Sequence, residues 1–133
     1  MTRIFLPCLC IVLLAVTSCT KPGTGGKATL SVHVFMDDCA VPDGVTVSPN
    51  HTVVPEATVY IEYGGIVVNT DVATYDDFQI ADSGGKVIFD GLRRGDYYLY
   101  AVSEDGVETG GTHFEINNRI GEREVVICTG AFE

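Results

Sequence analysis

Residues 84–106, GGKVIFDGLRRGDYYLYAVSEDG, decide the fold class. A turn at Ser83-Gly84-Gly85 opens the stretch and a strand over 86–90 follows. A glycine-bounded loop spans 91–95, and a second strand covers 96–103. Side chains two apart share a face of a strand, so Val87 and Phe89 form one core face and Tyr97, Leu99 and Ala101 form another. The two strands are expected to pair as a β-hairpin, with Leu92 plugging the end of the core between them.

The same alternation continues outward. Residues 29–36, TLSVHVFM, put Leu30, Val32, Val34 and Met36 on one side and Ser31, His33 and Phe35 on the other. Residues 57–63, ATVYIEY, turn Ala57, Val59, Ile61 and Tyr63 inward and Thr58, Tyr60 and Glu62 outward. Gly64-Gly65 turns that strand and 66–69 returns from it. Further strands are expected at 78–81, 112–116 and 122–128, and 45–47 has room for a brief one. Between them, 37–55 holds three prolines and an Asp43-Gly44 turn signal, a long loop of the kind that carries function. There is no helix-period apolar stripe and no internal repeat. The expectation is all-β: an antiparallel Greek-key β-sandwich of about seven strands, immunoglobulin-like in architecture.

The N-terminus, MTRIFLPCLCIVLLAVTSCT, has Arg3, an apolar run over 4–16 and small polar residues after it. Such a run covers roughly 20 Å as a helix, short of the about 30 Å of a bilayer core, so a secretory signal fits better than a membrane span. Val16-Thr17-Ser18-Cys19 resembles a bacterial lipobox, which implies cleavage after residue 18 and lipidation of Cys19. Residues 1–18 are then signal peptide, 19–27 a flexible tether and 28–133 one domain. The expected location is the bacterial envelope, with the protein held to the membrane through Cys19. Thr20 is not the Asp that retains enterobacterial lipoproteins inside, which favours the outer membrane over the inner.

Without residues 1–18 the chain keeps seven Lys and Arg against eighteen Asp and Glu, a formal charge of −11. A surface so acidic disfavours nucleic acid and anionic headgroups, both of which need clustered cations. Cys8 and Cys10 leave with the signal. Cys39 and Cys128 remain, an even pair in an oxidising compartment. Cys39 follows one strand and Cys128 closes the last, so first and last strands lying parallel side by side would bring both to one end. A disulfide and two separate buried thiols both stay open.

PEATVYIEYGG at 55–65, together with 82–106, resembles the carboxypeptidase-regulatory-like and Cna B-type domains, which share a prealbumin-like sandwich. The matching positions are Ala57, Gly85 to Phe89, Gly91-Leu92 with Gly95, and Tyr97 with Leu99. A single copy on a lipid anchor resembles small envelope lipoproteins of Bacteroidetes-type bacteria. Ala101 stands where stalk domains carry the Glu that promotes an isopeptide bond, so none is expected. The C-terminus lacks the Tyr-Arg-Gly-Ser-type tail of hydroxyisourate hydrolases. His33, His51 and His113 lack the close pairing of prealbumin-like dioxygenases.

No nucleophile-base constellation is evident, and the chain is expected to be non-enzymatic, without cofactor or metal. His33 and His113 read as surface histidines. Asp37, Asp38 and Asp43, and Asp71, Asp76 and Asp77, read as solvated acidic loops, since neither group has calcium-loop spacing. The feature that stands out is the other face of the expected hairpin: Ile88, Tyr98, Tyr100 and Val102, with Tyr60 on the same side. Either it is cross-strand packing or it is a contact platform. The first functional reading is a protein-interaction or assembly module with an envelope protein as partner. The alternative is a carbohydrate-binding module using these tyrosines on a glycan.

Overall fold

The computed structural model describes residues 21–36 and 52–129. The expected signal peptide, Cys19, the acidic loop with Asp37, Asp38 and Asp43, the segment 45–47, Cys39 and His51 lie outside the described residues.

Among the described residues eight strands form two sheets: β1 (Thr24–Met36), β2 (Thr52–Val53), β3 (Thr58–Tyr63), β4 (Asp77–Ile80), β5 (Lys86–Leu92), β6 (Gly95–Val102), β7 (Thr109–Ile116) and β8 (Ile120–Thr129). In the first sheet β1 is central. It pairs in parallel with β8 from Lys27↔Ile120 to Met36↔Thr129. Its other side pairs antiparallel with β5 and, past the end of β5, with the two residues of β2. The second sheet runs β4-β3-β6-β7, antiparallel throughout. The sandwich read from the sequence is therefore the fold, and the first and last strands do lie parallel side by side.

The core is the one the alternation picked out. Leu30, Val32 and Val34 from β1 meet Val59 and Ile61 from β3. Val87 and Phe89 from β5 and Tyr97, Leu99 and Ala101 from β6 are buried in the same cluster, with Leu92 from the end of β5. Ala57 and Ile127 are fully buried, and Met36 and Tyr63 pack against this core half-buried.

The expected hairpin is not formed. β5 belongs to the first sheet and β6 to the second, so residues 91–95 are an arch that carries the chain from one sheet to the other. Gly91 at φ 67° and Gly95 at φ 139° allow that roll, which L side chains rarely adopt. Alternation tells which residues share a face but not which strand lies alongside. Here the two apolar faces look at each other across the core instead of lying next to each other.

A second difference concerns the tether. Strand β1 starts at Thr24, and Gly23 is already buried, its N–H donating to the Tyr97 hydroxyl at 2.9 Å. Strand structure thus begins inside the stretch 19–27 that reads as a free spacer.

Candidate functional site

Because β5 and β6 lie in different sheets, the expected contact face is divided. Ile88 is on the outer face of the first sheet, opposite Ser31 of β1. Tyr60, Tyr98, Tyr100 and Val102 are on the outer face of the second sheet, on the other side of the molecule. Ile88 therefore does not belong to the same surface as the tyrosines.

On the second sheet, cross-strand register builds a row. Tyr60 of β3 stands opposite Phe78 of β4 and opposite Tyr100 of β6, and Tyr100 faces Gly111 of β7. Directly opposed residues of antiparallel strands bring their side chains together. The Tyr60 and Phe78 ring centroids are 5.8 Å apart. Phe78 is 57% exposed and Ile80, two residues on, is 66% exposed. Thr58 and Val102 border the row on that side, in register with Ile80 and Thr109.

A fourth ring comes from the loop between β3 and β4. Tyr75 stacks on Tyr100 with centroids 6.1 Å apart and planes at 20°, and tilts against Tyr60 at 5.7 Å. The loop holds this ring through its own hydrogen bonds. Asp71 accepts from the Ala73 N–H and caps a 3₁₀ turn at Val72–Thr74. The Tyr75 hydroxyl donates to the Asn69 carbonyl at 2.5 Å. Asp76 ties the return, its carboxylate accepting from the Tyr63 N–H and its own N–H donating to Ile61. Sequence reading missed Tyr75 and Phe78. The pairing of β4 with β3 signals Phe78, but nothing short of the loop's fold signals Tyr75.

Tyr98 has another role. It points to the same outer face but is only 4% exposed. Its Cβ lies against Gly65 and its hydroxyl against Gly111, and a side chain at either glycine would run into it. It is a packing residue beneath the platform. Burial pushes its phenol above the ordinary range. Burial does the same to Tyr75, with help from Tyr98, Glu62 and Tyr100. Both hydroxyls therefore remain protonated at neutral pH.

Polar groups border the aromatic row. Glu62 stands opposite Tyr98, and beyond it His113 of β7 meets Asp96 of β6 at 2.8 Å. His113 is on the outward phase and exposed, as expected from sequence. His33 is outward too but half-buried, stacked on Phe35 and 3.8 Å from Glu124. Among the described residues there is no group of three or more His, Cys, Asp or Glu side chains that could hold a metal ion. Asp71 and Asp76 spend their carboxylates on backbone N–H groups of their own loop. The arrangement is a shallow aromatic surface with a polar margin, suited to stacking on a flat or ring-shaped ligand.

No model of a known protein family matches the chain, and no curated protein sequence matches it. Among solved structures the chain is similar to the crystal structure of a "putative carbohydrate binding protein" from Pseudomonas aeruginosa. The identity is 14%, the TM-score 0.52, and the match covers 80% of this chain and 90% of that one. At that identity the likeness speaks for the β-sandwich fold.

Proposed function

We propose that this protein is a non-enzymatic, lipid-anchored β-sandwich of the bacterial envelope that binds a glycan on the outer face of its second sheet. The observation that carries the reading is the contiguous ring set Phe78, Tyr60, Tyr100 and Tyr75. Sugar rings present flat C–H faces that stack on aromatic side chains, while hydroxyls need polar partners at the margin. Glu62 and the His113–Asp96 pair supply such partners. The description of the Pseudomonas structure agrees with this reading. The family resemblance, the acyl chains on Cys19 and an outer-membrane location belong to the same proposal, and no cofactor is required by it.

A second reading is the protein-interaction or assembly module. What favours it is β4, an edge strand whose four residues are all exposed, Phe78 and Ile80 among them. A partner strand adding to that edge would pair with its outward backbone groups, taking the Phe78 N–H from the Asp77 carboxylate that now accepts it.

Affinity electrophoresis in gels containing neutral polysaccharides separates the two. Affinity read from retardation of the wild-type domain is expected to fall about fivefold for Phe78→Ala and for Tyr100→Ala, each ring contact being worth about 1 kcal/mol. Phe78→Ala should leave the unfolding midpoint nearly unchanged because the ring is exposed. If no polysaccharide retards the protein and crosslinking in cells traps one envelope protein at β4, the glycan reading falls and the second replaces it.

A further inference from the structure

We propose that the end of the sandwich at which the chain enters β1 rests on an anionic bilayer surface, the same bilayer that holds the acyl chains of Cys19. This rests on the lipid-anchor reading above. It adds that the domain sits on the membrane in one orientation.

The chain is fastened at this pole close to the anchor. The Gly23 N–H donates to the Tyr97 hydroxyl, and the Gly23 carbonyl accepts from the Arg93 N–H at 2.8 Å. Pro22 sits against Gly95, where a side chain would run into its ring. Only three residues lie between Cys19 and Gly23, four Cα steps with a reach of at most about 14 Å when fully extended. The pole is held near the headgroups whatever path those residues take.

The charge of the molecule is polarised along that axis. Lys21 and Lys27 flank the start of β1, Arg93 and Arg94 form the tip of the arch, and Arg119 precedes β8, with all five exposed. Of the cations left after residue 18, only Lys86 and Arg123 lie further along the sheet, in register with His33 and Leu30. The opposite pole carries Glu56, Asp82, Glu104, Asp105 and Glu108 around the turn after β6 and the entries to β3 and β5. Acids also border the cationic pole: Glu115, in register with Asp96, lies beside Arg94, and Asp76 accepts from the Tyr63 N–H, so the separation is one of excess rather than of exclusion. Asp90 accepts from the Thr29 hydroxyl, Asp96 faces His113, and Glu122 is in register with Thr29. A net charge of −11 hides this separation. An anionic surface would attract one end and repel the other.

Apolar surface lies among those cations. Ile120, in register with Lys27, is 68% exposed. The loop bearing exposed Ile66, Val67 and Val68 leaves from the same pole, where the Gly64 N–H donates to the Asp96 carbonyl. Exposed aliphatics among exposed cations are the composition of surfaces that lie in a headgroup layer.

The chain has no tryptophan, so one introduced residue reports alone. The lipidated mature protein is reconstituted in vesicles containing brominated lipid, with or without phosphatidylglycerol, as Ile120→Trp and as Val107→Trp. Val107 is 73% exposed in the turn at the acidic pole. The expected result is at least threefold stronger quenching of Ile120→Trp than of Val107→Trp in anionic vesicles. That difference should shrink in about 1 M salt, where screening acts within roughly 3 Å, and in a folded Arg93→Glu/Arg94→Glu variant. If those substitutions unfold the chain, Lys27→Glu with Arg119→Glu serves instead. Equal quenching at both positions on floated vesicles overturns the orientation and leaves the anchor standing. Failure of the protein to float with the vesicles overturns the anchor and the orientation together.

Discussion

The Tyr97 hydroxyl joins three separate stretches of chain. It accepts from the Gly23 N–H at 2.9 Å and donates to the Arg93 carbonyl at 2.6 Å, while its ring lies in the core edge-on to Tyr63. The entry to β1, the arch and the start of β6 are thus held by one side chain. Tyr97→Phe keeps the ring and removes both bonds, leaving a buried N–H and a carbonyl short of a partner. The expected cost is about 1–3 kcal/mol, read as a lower urea midpoint. Trypsin cleavage after Lys27 should accelerate as well, because the segment around Gly23 loses its fastening. Ser31 makes the opposite case: its hydroxyl is buried with no hydrogen-bond partner, on the outer side of the central strand. Both roles escape a reading by periodicity, which assigns Tyr97 to the core correctly and says nothing of its hydroxyl.

At the scale of the element, the parallel pairing of β1 with β8 underlies a prediction about the two cysteines. Phe35 is in register with Cys128 and Met36 with Thr129, and Cys39 lies only three residues beyond Met36. We expect a disulfide between Cys39 and Cys128. The denatured, unreduced mature protein should then react with no thiol reagent at these two positions and with two equivalents after reduction. Cys128→Ser should lower stability by up to about 4 kcal/mol, the chain-entropy value for so long a loop. Strand positions and inward faces were legible because a half-buried strand must alternate. Which strands pair was not: 86–90 and 96–103 look like a hairpin, yet the glycines at 91 and 95 turn the chain across the core. That error moved Ile88 to the wrong surface. It also hid the real neighbours of Tyr60 and Tyr100, which come from β4 and from the loop before it. Where β7 approaches β8, a side chain at Gly110 would strike the Cys128 backbone, a contact that no local signal announces.

For the whole molecule, pH reports how the tyrosines are packed. Burial is the main cause that raises the phenols of Tyr63, Tyr75, Tyr97 and Tyr98 above their ordinary value. The unfolded chain releases these protons near pH 10 and the folded chain only at higher pH. Their contribution is therefore fully present below pH 10 and is lost as pH rises through the folded values. At the acid end the signs are mixed. Hydrogen bonds hold Asp82, Asp90 and Asp105 below the usual carboxylate range, so stability falls as pH drops through their folded values. Glu104 is raised by its contact with Glu56, so protonating it relieves repulsion and opposes that loss. The asymmetry predicts a gradual acid limb and a steep alkaline one. Urea midpoints measured at pH 9, 10 and 11 should drop sharply across the last two points. Tyr75→Phe keeps the stacking on Tyr100 and Tyr60 but removes one of the four protons. Its midpoint should drop at pH 7 by the equivalent of about 1 kcal/mol, for the lost bond to the Asn69 carbonyl, and decline less steeply than wild type above pH 10. An unchanged alkaline slope would mean that Tyr75 is solvated and free of the platform, and the fourth ring would drop out of the proposed contact face.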